Sequence, residues 1–231
     1  MHFLDRRPRR EITDALRAAV LEDLPELSLI GNEELRWKCV EVWCLALTES
    51  SFGRVSDIPG ESNPGQFALR RGDQAAHLRG VTRIALSIAD EFAAMDPRVR
   101  IDRNLVIAGG LTHDVGKPWE FDAANRARWT GDPSATGLPS LRHPVYGAHL
   151  CIAAGLPEEL AHIALAHSFE GEHLIRSLEC LIVQRADHLW WSIAGGCGLL
   201  KPSGDSILEA RKIAPRPLRD ELPDVQERKP T

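Results

Sequence analysis

The sequence predicts an all-α fold: a helical bundle with an N-terminal helical extension and a loose C-terminal tail. Apolar residues recur at helical spacing along successive segments, and capping and stop residues bound those segments. Histidines and aspartates also fall in line with the apolar stripes, which points to a polar centre inside the bundle.

Residues from about Glu11 to Ser50 read as helical, with Leu35, Cys39, Val42 and either Leu45 or Ala46 on one side. This extension is expected to pack onto the core or a partner subunit. Phe52 to Gly72 carries Gly53, Pro59, Gly60, Pro64, Gly65 and Gly72, so it reads as a loop, long enough to form a lid or wall over a site. From Asp73 to Met95 one amphipathic helix is expected, with Asp73 as N-cap and His77, Val81, Ile84, Ile88 and Phe92 on its apolar stripe. A second helix runs from Asp102 to about Val115, where Ile107, Leu111 and Asp114 share a face before Gly116 and Pro118 stop it. Pro144 suits the first turn of a third helix, which starts at His143 and closes at Gly155. Leu156-Pro157 opens a fourth, with Leu160, Ile163 and His167 in line. In the last, roughly Ser177 to Ala194, Cys180, Val183, Asp187 and Trp191 follow the same rule.

The chemistry-bearing residues keep the order H…HD…H…H…D. His113 and Asp114 stand side by side in Gly110-Leu111-Thr112-His113-Asp114-Val115-Gly116-Lys117, and His77 lies upstream. His143, His167 and Asp187 follow. Four imidazoles and two carboxylates are enough for two metal ions. A lone histidine on an apolar stripe is more often a hydrogen-bonded core residue, but a buried carboxylate on such a face is costly unless a positive charge compensates it. His2, His149, His162, His173 and His188 stand outside the pattern. His149 and His162 are expected on solvated or packing faces, and His173 and His188 lie close enough in sequence to support the ligands from behind.

On these motifs, Asp73 to Gly195 resembles the HD-domain superfamily of metal-dependent phosphohydrolases, most specifically in the His-Asp-Val-Gly-Lys run and the His-Pro-x-x-Gly-Ala helix start. The resemblance implies that His77, His113, Asp114 and Asp187 hold one metal, and that Asp114 bridges to a second held by His143 and His167. The two middle histidines imply the dinuclear subgroup. Ser168 sets the chain apart from the cyclic-dinucleotide phosphodiesterase branch, where a second adjacent histidine is found. Such ligands suit Fe, Mn, Zn, Ni or Co better than Ca or Mg. Two such ions would acidify a water towards hydroxide and neutralise a phosphoryl oxygen.

Asp114 and Lys117 are the expected catalytic residues. Lys117 is the only lysine between Lys38 and Lys201, and in the family this position contacts a substrate oxyanion; the plainer reading is a helix-terminal charge. Arg142, Arg70 and Arg71 are weaker oxyanion candidates. Trp119, Trp190 and Trp191 could wall the pocket or simply pack. The expected function is therefore hydrolysis of a small phosphate ester by a metal-bound hydroxide. The alternatives are a di-iron oxygenase of the HD type that cleaves a C–C or C–P bond with O₂, and a non-catalytic regulatory module.

Composition agrees with an enzyme of the cytoplasm acting on a small anionic substrate. The chain has 231 residues, 43% of them hydrophobic, which suffices for one substantial core. A net charge of −5 gives no support to a nucleic-acid scaffold. The five cysteines, Cys39, Cys44, Cys151, Cys180 and Cys197, include no C-x-x-C and read as reduced core thiols. No apolar run approaches the length of a membrane span, and no signal-peptide core follows the basic start. The expected organisation is an N-terminal extension with the lid loop over 1–72, the metal-binding domain over 73–200 and a Pro- and charge-rich tail over 201–231. The N-terminal helices are the candidate surface for a homo-oligomer.

Overall fold

The computed structural model describes residues 10–201, and the expectation for the tail beyond Lys201 lies outside them. The fold is all-α apart from one small hairpin. The N-terminal extension forms α1 (Asp14–Asp23) and α2 (Glu33–Thr48), separated by a 3₁₀ turn at Pro25–Leu29. Pro25 and Gly31 account for the break. Thr13 and Asn32 cap the two helices through their side chains, as N-cap residues do. Asp23 receives the Arg54 guanidinium and the Ser56 amide, which ties the end of α1 to the segment after α2.

The stretch expected as a loop over 52–72 contains a hairpin instead: β1 (Pro59–Glu61) pairs antiparallel with β2 (Ala68–Asp73). Its glycines and prolines carry no strand signal, and distant hydrogen bonds decide its form. Arg70 N donates to Leu199 O at 2.8 Å and Lys201 N to Ala68 O at 2.8 Å, so the end of the described chain lies along β2.

α3 (Gln74–Met95) starts on Asp73 as expected. Its buried side is nonetheless rotated from the expected stripe: Val81, Ala85 and Ala89 join His77 inside, while Phe92 is half exposed. α4 (Arg103–Thr112) ends three residues short of Val115, capped at its start by Asp102. Three short helices follow, α5 (Lys117–Phe121), α6 (Ala123–Gly131) and α7 (Pro133–Thr136), in a region without apolar periodicity. Asp122 and Asp132 each cap the helix that follows. α8 (His143–Ala153), α9 (Glu158–Ala166) and α10 (Leu178–Gly196) complete the bundle where the sequence expects them.

One apolar core runs through the extension and the later helices alike. Trp43 of α2 is fully buried and donates its indole N–H to Leu111 O at 2.8 Å, at the end of α4. Four cysteines are buried in this core, where burial pushes the thiols of Cys44 and Cys151 up to about 12 and Cys180 to about 11; Cys197 is exposed. Among the described residues no helix is long and apolar enough to cross a membrane.

Candidate metal centre

The six residues of the H…HD…H…H…D pattern meet at one point inside the bundle. His77 faces inward from the first turns of α3. His113 and Asp114 occupy the turn that ends α4, His143 begins α8, His167 ends α9, and Asp187 comes from the middle of α10. The turn at His113-Asp114 can lie against α8 only because Gly116 has no side chain: a Cβ there would overlap the His143 carbonyl and the Gly147 amide.

Asp114 is the hub, and its two oxygens face different partners. Oδ2 lies 3.4 Å from His77 Nε2 and 3.4 Å from His113 Nε2. Oδ1 lies 3.2 Å from His143 Nε2 and 3.4 Å from His167 Nε2. Asp187 Oδ1 stands 3.2 Å from His77 Nε2, on the Oδ2 side.

The outer ring nitrogens set which lone pairs point inward. His113 Nδ1 donates to Gly110 O at 2.9 Å and His167 Nδ1 to Ala164 O at 2.8 Å. A carbonyl can only accept, so each Nδ1 carries a proton, and in the neutral ring each Nε2 turns its lone pair to the centre. His143 is held by a carboxylate: Glu120 accepts from both its Nδ1 and its backbone N–H. Arg142 donates to the other Glu120 oxygen at 2.5 Å and to Glu170 at 3.1 Å.

Both nitrogens of His77, Nε2 of His113 and Oδ1 of Asp187 are buried without a hydrogen-bond partner. An orphaned buried polar atom costs roughly 1–3 kcal/mol, so leaving several at one point is unfavourable unless something else satisfies them. A cation does so, and the donor set of imidazole nitrogens and carboxylate oxygens fits a divalent transition metal. His77, His113 and Asp187 form one group whose ligand atoms lie within 4.8 Å of one another, and His113, Asp114 and His167 form another.

Burial works to raise the Asp114 carboxyl, but Lys117 and His113 beside it hold it well below the usual carboxylate range. Asp187 is likewise lowered, with burial outweighed by His77 and His113. Both are therefore ionised and ready to ligate at neutral pH. Burial would lower His113 and His143, yet Asp114 beside the first, and Asp114 with Glu120 beside the second, raise them. Burial lowers His167, with the neighbouring imidazoles adding to it.

Lys117 is almost fully buried. Its ammonium pairs with Asp114 Oδ2 at 2.8 Å and donates to Glu61 O at 2.6 Å and Gln74 Oε1 at 3.1 Å. It lines a cavity of about 150 Å³ over the centre, together with Trp191, His188 and the turn of the β1–β2 hairpin. The three arginines expected as oxyanion candidates do not line it. Arg142 is committed to Glu120 and Glu170, Arg70 donates to Leu200 O at 2.7 Å, and Arg71 is exposed. Trp190 sets its edge against His77 with ring centres 4.6 Å apart, whereas Trp119 stacks on Tyr146 away from the centre. Of the remaining histidines, His149 and His173 are exposed and His162 accepts from Ser177 N.

Sequence reasoning missed Glu120 and Gln74. Gln74 donates to Asp114 Oδ2 at 2.8 Å, and its place three residues before His77 in the first turn of α3 was the available signal. Glu120 lies in a five-residue helix with no periodicity, and only the folded chain brings it to His143.

Fold and centre together define an all-helical protein with a buried His/Asp cluster able to hold divalent metal. The HD domain family model matches residues 75–190, and the chain belongs to that family, whose members are mostly metal-dependent hydrolases. No curated protein and no solved structure matches the chain.

Proposed function

We propose that this protein is a dinuclear metal-dependent hydrolase that cleaves a small phosphate ester. The division of Asp114 carries the reading: one oxygen faces His77 and His113, the other faces His143 and His167, as a carboxylate shared between two ions requires. His77, His113, Asp114 and Asp187 would hold one ion, and Asp114, His143 and His167 the second. Two such ions supply an acidified water near neutral pH and positive charge for a phosphoryl oxygen.

The chain's own groups prepare that chemistry. Carbonyl and carboxylate partners on the outer ring nitrogens fix the tautomers of His113, His143 and His167. Gln74 and Lys117 hold Asp114 Oδ2 in place from the hairpin side. With its ammonium engaged on three sides, Lys117 contributes positive field at the cavity wall rather than a free donor. Trp191 and the hairpin turn narrow the access of water.

The test is metal analysis of protein purified without chelators, paired with product release from a panel of phosphate esters, phosphonates and polyols in the presence and absence of O₂. Two equivalents of metal and O₂-independent release are expected. Near-stoichiometric iron with turnover only under O₂ would establish the oxygenase instead, and a protein without metal would leave a regulatory module.

A further inference from the structure

We infer that the turn of the β1–β2 hairpin reads hydroxyl groups of the substrate through Ser62 and Asn63, and that the substrate is a small hydroxylated phosphate monoester rather than a nucleoside polyphosphate. This rests on the hydrolase reading above.

The turn closes one side of the cavity over the metal centre, and Ser62 and Asn63 line it. Its backbone needs are met internally: Ser62 N donates to Phe67 O at 3.0 Å and Gly65 N to Glu61 Oε2 at 3.1 Å. The Asn63 amide nitrogen is also satisfied, by Gln66 Oε1 at 3.0 Å. Two oxygens are left over, because Ser62 Oγ and Asn63 Oδ1 are buried without a partner. An amide oxygen only accepts, and ionised phosphate oxygens only accept as well. The group that satisfies Asn63 is therefore a donor, and a hydroxyl can also serve Ser62 in either sense.

The turn is held at a set distance from the reacting centre. Lys117 spans the gap, with Glu61 O on one side at 2.6 Å and Asp114 Oδ2 on the other at 2.8 Å. A hydroxyl near the scissile group thus meets the turn when the phosphoryl group meets the ions.

The charge of the lining argues against a polyphosphate. Among the described residues no arginine lines the cavity, and the one lysine that does is already engaged, whereas polyphosphate sites use cationic clamps along the chain of phosphates. The cavity, about 150 Å³ and open on one side, seats the reacting group with the hairpin turn beside it.

The experiment compares glycerol 3-phosphate, propyl phosphate and ATP on the metal-loaded full chain, with binding read by calorimetry and turnover by phosphate release. Glycerol 3-phosphate should bind about tenfold or more tighter than propyl phosphate, the scale of one or two hydrogen bonds to otherwise orphaned groups. ATP should bind more weakly than either. In the Ser62→Ala/Asn63→Ala variant the ratio between the first two should fall close to one, with two metal equivalents still bound. A ratio near one in the parent protein, a ratio preserved in the variant, no binding of either ester, or preferred binding of ATP would each overturn the inference. Selective binding of glycerol 3-phosphate without its hydrolysis would uphold the hairpin's role and overturn the hydrolase reading alone.

Discussion

Glu120 accepts from the His143 ring, the His143 backbone and Arg142 at once, and its carboxyl is held below its usual range because His143 and Arg142 outweigh the effect of burial. A carboxylate behind a ligating imidazole fixes its orientation and raises its basicity. Glu120→Gln keeps the shape and removes the charge, so affinity for the second ion should fall roughly ten- to a hundred-fold while the first ion stays. Metal titration against a competing chelator measures this, and two wild-type affinities would refute it. Lys117 poses the opposite case, since its charge balances Asp114 directly. Breaking a buried pair by removing one partner costs about 3–5 kcal/mol. Lys117→Met should lose stability on that scale in metal-free protein and regain much of it on metal loading, because the ions then compensate Asp114. Equal losses with and without metal, read from denaturant melts, would show that Lys117 acts by packing alone.

At the scale of elements, the turn after α4 and the start of α8 touch backbone to backbone at Gly116. The Gly116 φ is −81°, open to any residue, so the constraint is close approach and not conformation. Gly116→Ala should push α8 away, costing on the order of 1–3 kcal/mol as overpacking does. It should also displace His143 enough to weaken the second ion. Unchanged stability and stoichiometry would mean that α8 has room to shift. Asp23 joins α1 to the segment at Arg54, and its carboxyl is lowered: burial raises it, but the Arg54 hydrogen bonds and the Ser56 amide prevail. A depressed folded pKa contributes stability that is present above the unfolded value of about 3.9 and is lost as pH falls through the folded one. Asp23→Asn should remove that contribution at neutral pH and so flatten the acid limb of the stability curve. A limb as steep as that of the parent would show that other carboxyls carry it.

For the whole molecule, the six candidate ligands come from α3, the turn after α4, α8, α9 and α10, so any ion bound there links elements across more than a hundred residues of chain. Binding to the folded state alone stabilises it by about 2.7 kcal/mol at a free metal concentration a hundred times Kd. Chelation should therefore lower the melting temperature, and readdition of metal should restore it. Asp114→Ala should abolish both responses; a melting temperature indifferent to metal in the parent chain would remove the ions from the fold's energetics. The extension shares the same core through Trp43, so heating should unfold α1 and α2 together with the metal-bearing helices.

The order of the ligands and the helices that carry them were legible in the sequence, because periodicity and caps are local: Asp73 starts α3, Ser177 starts α10, and His143-Pro144 opens α8. That six residues on five elements converge was legible in part, since His77, Asp114, His167 and Asp187 lie on stripes that must face inward. The rotation of the α3 stripe away from Phe92 was not, because Phe92 is apolar yet lies beyond what the neighbouring helices cover, while Ile88 is only partly covered. The hairpin, Glu120 behind His143 and the burial of Lys117 belong to tertiary structure alone. Each depends on a hydrogen bond to a residue more than twenty positions away, and no local preference encodes such a partner.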